Sequence, residues 1–282
     1  MAEISLAMAA SHAPGLTGWF DKAPQADQDT VRRAYDAIHD AVVASRTDVL
    51  LVIANDHVAN ARVSDYADFT IGLADRHTGP DAWFHPWLRV DDYALPGAPD
   101  TARALFAALR DSGPEVRAEQ GNLRFDDNLS VPTAMASLAS TGVAVVPILQ
   151  NCTVPPVPDQ RVCHAFGQAL GEAIRTRLPD GLRVGLLGSG GLSHEPGGPR
   201  YLEIDEEFDH WWLDLLEKGD HAEILDRATF ERMEEAGSGG TAELLSWIVV
   251  MGAIGPRPLT NLGYAAVEEW RCGFGAVHWS LD

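Results

Sequence analysis

Three stretches of this chain share one layout, and together they constrain its fold more than any other feature. "EISLAMAASHAPG" leads to His12, "DVLLVIANDHVAN" to His57 and "LRVGLLGSGGLSHEPGG" to His194. Each opens with an apolar run suited to a strand covered on both faces, then passes through small or polar residues to a histidine. Polar groups at the end of a buried strand must be satisfied or used. Between the strands lie amphipathic helices. Val31, Tyr35, Ile38 and Val42 fall on one helical face, as do Val162, Phe166, Leu170 and Ile174. "GVAVVPILQN" reads as a further strand, and the prolines of "CTVPPVP" end regular structure after it.

Strands alternating with helices predict a layered α/β fold, in which functional groups gather at the carboxyl edge of the sheet. The three histidines could therefore converge. Taken singly, each reads better as a loop histidine bonded to backbone; it is the placement shared by all three that brings in the functional reading. Residues 75–100, rich in Pro, Gly and Trp, read as a surface excursion or lid, within which His85 packs among the tryptophans. From 203 to 236 the chain is acidic and helical, with Phe208, Trp211 and Leu215 on one stripe and with His210 and His221 expected in solvent. No repeat or linker interrupts residues 1–282, which are read as one catalytic domain.

Composition narrows the class of partner. With 41 acids against 21 bases the formal charge is −20, which repels polyphosphate, so no nucleic-acid partner is expected. The longest apolar stretch, "LLSWIVVMGAIG", is too short to span a bilayer, and the N-terminus lacks a basic leader region. Cys152, Cys163 and Cys272 are odd in number with no C-x-x-C pattern, so reduced thiols and a cytoplasmic setting are expected.

Two motif readings fail on inspection. "GLLGSGGLSHEP" lacks the third glycine of a dinucleotide fingerprint, and its serines lack the flanking glycines of a nucleophile elbow. Its glycines instead suit a close approach of backbone to a ligand. Two imidazoles and an acid would suffice for a divalent metal. Asp56 and Glu195 stand beside their histidines and point elsewhere. Glu243 follows "GSGGT" in the first turn of an apolar helix, where free backbone N–H groups hold a carboxylate ionised. It reads either as a complement to that helix terminus or as a partner for a buried cation.

"SHAPG", "NDHV", "LGSGGLSHEPGGP" and "AELLSWIVVMGAI", in this order, resemble the class III (LigB-type) extradiol ring-cleavage dioxygenases, and "EEWRCGFGAVHW" resembles the close of the 2,3-dihydroxyphenylpropionate dioxygenase branch. The resemblance implies a layered α/β/α fold with a mixed central sheet. It also implies Fe(II) held by His12, His57 and Glu243, with His194 as a base beside the metal. Small catechol-like aromatics and O₂ would be the reactants, a muconic-semialdehyde-type product would form, and a homo-oligomer is expected. Where many members carry a D-H-G histidine, this chain has "RFDDNLSVPT", with Asp127 in the histidine's place. Asp127 is thus a catalytic candidate that could accept a hydrogen bond from an aminophenol or hydroxypyridine ring. Arg200 and Arg124 are candidates for binding an anionic substituent. Two other readings remain: a metal-free binding protein on the same fold, and a zinc enzyme using the same three ligands.

Overall fold

The structure is a computed structural model and describes residues 1–281. Its strands are β1 (Glu3–Ala10), β2 (Val49–Asn55), β3 (Phe69–Gly72), β4 (Arg76–Gly79), β5 (Tyr93–Pro96), β6 (Val116–Glu119), β7 (Ala144–Gln150), β8 (Arg183–Ser189), β9 (Leu259–Val267) and β10 (Cys272–Trp279). The helices are α1 (Gly15–Gly18), α2 (Gln25–Ala44), α3 (His85–Leu88), α4 (Pro99–Leu109), α5 (Asp127–Met135), α6 (Leu138–Thr141), α7 (Gln160–Arg177), α8 (Glu206–Lys218), α9 (His221–Arg227), α10 (Phe230–Ala236) and α11 (Leu245–Ile254).

Eight strands form one mixed sheet in the order β6-β3-β7-β2-β8-β1-β10-β9. At its centre β7, β2, β8 and β1 run parallel, so their carboxyl ends open on one edge. Along β2 every residue is buried. Val49, Leu51 and Ile53 enter the core on one side with α4, α7, α8 and α11, while Leu50, Val52 and Ala54 enter the other with α2 and α5. That two-sided burial is why the strand reads as a continuous apolar run. No helix among the described residues is long and apolar enough to cross a membrane.

The predicted face of α2 is buried at all four positions, Val31, Tyr35, Ile38 and Val42. On α7, Phe166, Leu170 and Ile174 are buried but Val162 is not. A second face, with Gly167 and Gly171, packs on α11. A Cβ on Gly167 would lie 2.2 Å from the Val249 carbonyl oxygen, so the two helix backbones meet with no room for a side chain. On α8 the buried stripe is Phe208, Trp212 and Leu215, one residue round from the expected Trp211. His221 is not a solvated residue: its Nδ1 lies 3.0 Å from Nε2 of His164, and burial lowers its pKa to about 4. The excursion at 75–100 is a small ribbon of antiparallel β4 and β5 carrying α3 between them. There His85 faces Asp92 at 3.5 Å, on the exposed side.

Candidate active site

The three strands that lead to the histidines, β2, β8 and β1, are neighbours in the sheet. Their adjacency brings His57, His194 and His12 to one place beyond the carboxyl edge. Glu243 reaches the same place from a 3₁₀ turn, Thr241–Leu244, that leads into α11. The turn is tighter than the first turn of an α-helix that the sequence suggested. One Glu243 oxygen lies 3.0 Å from His57 Nε2 and 3.3 Å from His194 Nε2, and the other lies 3.3 Å from His12 Nε2. Glycine is needed beneath this cluster. A Cβ on Gly190, whose φ is +141°, would lie 2.6 Å from Asn55 Oδ1 and 2.8 Å from Glu243 Cβ.

Hydrogen bonds on the far side of each ring decide what faces the glutamate. The Ser189 hydroxyl donates to the Asn128 carbonyl at 3.1 Å, so its oxygen is free to accept from His12 Nδ1 at 2.9 Å. His57 Nδ1 stands 3.1 Å from Asp126 Oδ2 and 3.2 Å from Asp127 Oδ1. His194 Nδ1 donates to the Leu192 carbonyl at 2.9 Å. With all three Nδ1 atoms occupied as donors, the Nε2 lone pairs are turned towards one carboxylate. That donor set requires a cation among them, a proton or a metal ion. His12 Nε2 is buried and has no hydrogen-bond partner, as a metal ligand freed of its metal would be.

Charge follows the same geometry. Burial pushes the His12 imidazole down to about 4, so it is neutral at ordinary pH. Burial also pulls on His57, but the Asp126 and Asp127 carboxylates outweigh it and hold His57 well above its usual value. His194 is likewise raised against its burial, by Cys272 and Glu243. Glu243 stays well below the carboxylate range despite burial, because His194 and His12 favour its anion. Asp126 is raised, chiefly by burial.

His12, His57 and Asp127 also offer ligand atoms that all lie within 4.8 Å of one another, so a second acid stands close to the same imidazoles. Asp127 sits on the Nδ1 side of His57, whereas Glu243 sits on the Nε2 side. The other acids named from the sequence are structural. Asp56 accepts from the Ala59 amide and the Asn60 side chain, and Glu195 pairs with Arg200.

A cavity of about 520 Å³ opens over the cluster. His12, His57, His194, Glu243, Asp126 and Asp127 line its polar end, and Trp19, Phe84, Trp87 and Trp270 form apolar walls. The size and the aromatic lining suit a single-ring ligand with a short substituent. Phe84 and Trp87 come from the 75–100 excursion, which therefore borders the cavity as a lid would.

The two arginines expected to meet a substituent lie elsewhere. Arg124 grips Asp81 through both oxygens at 3.0 and 3.1 Å, and Arg200 grips Glu195 at 2.8 and 2.9 Å. Neither lines the cavity; its arginine is Arg271, from the turn between β9 and β10. Ser189, Asp126 and Arg271 were not singled out from the sequence, although Arg271 lies inside the "EEWRCGF" stretch.

Residues 6–275 match the family described as the catalytic LigB subunit of aromatic ring-opening dioxygenase. Two relatives are each named 2,3-dihydroxyphenylpropionate/2,3-dihydroxicinnamic acid 1,2-dioxygenase. One, from Burkholderia vietnamiensis, is 26% identical over 95% of both chains, and the other, from a Rhodococcus species, is also 26% identical over 95% of both chains. A crystal structure of an uncharacterized protein from Escherichia coli K12 superposes with a TM-score of 0.54, covering 98% of this chain and 99% of that one at 12% identity, which speaks to the fold alone. With a family match over nearly its whole length, the chain belongs to the LigB catalytic subunits of aromatic ring-opening dioxygenases.

Proposed function

We propose that this dioxygenase is an Fe(II)-dependent extradiol enzyme that opens a catechol-like ring, with His12, His57 and Glu243 as the metal ligands and His194 as the base. The carrying observation is the convergence of three imidazole Nε2 atoms on the Glu243 carboxylate, each with its Nδ1 already committed. Glu243 is preferred to Asp127 as third ligand because it meets the nitrogens of His12 and His57 that have no other role. His12 is neutral and His57 becomes so when a metal takes the place of its Nε2 proton, and two such imidazoles with one carboxylate suit ferrous iron and leave coordination positions open. Bound there, iron would supply the Lewis acidity that eases deprotonation of a chelating diol and the electron chemistry with O₂.

The protein's own part is positional. The aromatic walls hold the ring and exclude water, and the largely buried His194 would take a substrate hydroxyl proton at Nε2 once a metal has replaced the proton it shares with Glu243. In the overall reaction a ring C–C bond beside the diol breaks. Both atoms of O₂ enter the product, one in the new carboxylate and one in the aldehyde, giving a muconic-semialdehyde-type product. The named activity of the relatives supports a catechol as substrate.

Anaerobic loading with Fe(II), followed by O₂-uptake assays on catechols, protocatechuate, gallate, aminophenols and hydroxypyridines, tests this reading. Uptake with a yellow ring-fission product from a catechol is expected. Failure to bind iron would instead favour a binding protein, and activity with zinc alone would favour a hydrolase. A second reading rests on Asp127, whose carboxylate lines the cavity. It would accept a hydrogen bond from the amine of a 2-aminophenol. An Asp127→Ala variant with an unchanged preference between catechol and 2-aminophenol would discard that reading.

A further inference from the structure

The cavity is acid-rich at its metal end, with Asp126, Asp127 and Glu243, in a chain whose formal charge is already −20. An anionic ligand would enter such a site only if a fixed positive charge met it. Among the described residues lining the cavity there is no lysine, and Arg271 is the single arginine. Its surroundings differ from those of Arg124 and Arg200, whose guanidiniums are each saturated by a carboxylate. Among the described residues no acid forms an ion pair with Arg271. Its guanidinium lies over the Trp19 ring at 4.9 Å and over the Tyr201 ring at 4.5 Å, and it donates to the Tyr201 hydroxyl.

Two aromatic rings against the guanidinium restrict its plane, and with Nη1 engaged by the Tyr201 hydroxyl the Nε–Nη2 edge has no hydrogen-bond partner among the described residues. That edge is the part that pairs with a carboxylate through two parallel hydrogen bonds. The backbone is also held: Arg271 sits in the left-handed region at φ +63°, which is unfavourable for a residue with a Cβ, at the end of a 3₁₀ turn that starts β10. The next residue, Cys272, places its Sγ 3.6 Å from His194 Nδ1, so the same short segment touches the reacting end of the cavity. Tyr201 is 38% exposed while Glu243 is 4% exposed, so the guanidinium is stacked against the outer part of the pocket.

We propose that Arg271, clamped between Trp19 and Tyr201, selects aromatic substrates that carry a carboxylate substituent, binding that group while the ring reaches the polar end. The inference rests on reading this cavity as the aromatic site, and it assigns the specificity determinant within it. Binding separates it from the oxygenase reading. Benzoate, phenylacetate and 3-phenylpropionate, with their neutral alcohol counterparts, are titrated into the metal-free protein by calorimetry, and the three acids report the reach of the pocket.

At least one acid is expected to bind tenfold or more tighter than its alcohol. Arg271→Gln should abolish that preference, and Arg271→Lys should keep only part of it because an ammonium lacks the planar fork. Arg161→Gln, a surface change at an arginine paired with Asp226, should keep the whole preference and controls for net charge. No acid preference in the wild type, or an undiminished one in both Arg271 variants, overturns the proposal. If the preference holds but no catechol consumes O₂ in the iron-loaded enzyme, the oxygenase reading fails and the anion site stands.

Discussion

The turn at the head of helix α11 and the loop of the β4–β5 ribbon both border the cavity, yet their supports are built differently. Behind the metal end, α11 is buried at nearly every position and pressed against α7, where Gly167, Gly171 and Gly252 leave no space for a Cβ. Glu243 enters from the turn at its head, so its carboxylate inherits that rigidity. At the mouth, the ribbon presents Trp83 at 73% exposure and Trp87 at 39%, and α3 is a single turn. Dense packing restrains the groups proposed to hold the metal. The sparsely packed mouth is where a lid can open for a ring to enter.

Four measurements would break or sharpen this contrast. The largest effect is expected from Glu243→Ala, which leaves the three Nε2 atoms without their shared carboxylate: iron content by elemental analysis should fall close to zero, and ring cleavage by about 10³-fold or more. Retained iron would shift the ligand set towards Asp127.

Next comes Asp209, a buried carboxyl that accepts from the Ser193 amide at 2.8 Å and the Tyr264 hydroxyl at 3.2 Å, bracing the His194 loop. Burial pushes it up to about 7 from an ordinary 3.8. The folded protein therefore holds this proton more tightly than the unfolded chain. Its contribution to stability is full below about pH 4, declines as pH rises towards 7 and is lost above that, by up to roughly 4 kcal/mol. Asp209→Asn mimics the protonated form, so urea midpoints measured from pH 5 to 8 should lose that downward slope. A slope equal to the wild type's would refute the role.

Gly167→Ala should then cost about 2–3 kcal/mol in urea unfolding by driving α7 from α11. It should also lower iron occupancy, because Glu243 moves with α11. A stable variant would mean that the back is less tightly fixed than its contacts imply. The smallest change in stability, under about 1 kcal/mol, is expected from Trp87→Ala at the mouth. There KM should rise several-fold with kcat nearly unchanged; a fall in kcat alone would show the mouth taking part in chemistry.

The same contrast explains what the sequence disclosed. The sheet and its three histidine-bearing strand ends were legible because an apolar run ending in a polar group is a local pattern, and the parallel neighbours β2, β8 and β1 carry it to one edge. Glu243 was ambiguous by pattern, since an acid at a helix start is commonplace; the family resemblance singled it out. The partners that fix the ring tautomers were invisible. Ser189 meets His12 across 177 residues of chain and Asp126 meets His57 across 69, contacts that no local spacing encodes. Arg271 hid for a similar reason: its role depends on stacking between two rings distant in sequence, whereas Arg124 and Arg200, closer to the recognised motifs, turned out to be neutralised by neighbouring acids.

Because β2, β8 and β1 are hydrogen-bonded neighbours, the sheet delivers the three histidine-bearing segments to one edge, and the short stretches beyond the strands draw the His12 and His57 rings to 5.4 Å across the intervening β8. Such a frame is tolerant of grafting. The segment around Phe84 and Trp87 could be exchanged for that of another ring-opening enzyme, redirecting which aromatic is admitted, because it lies on a ribbon outside the sheet that leads to the histidines.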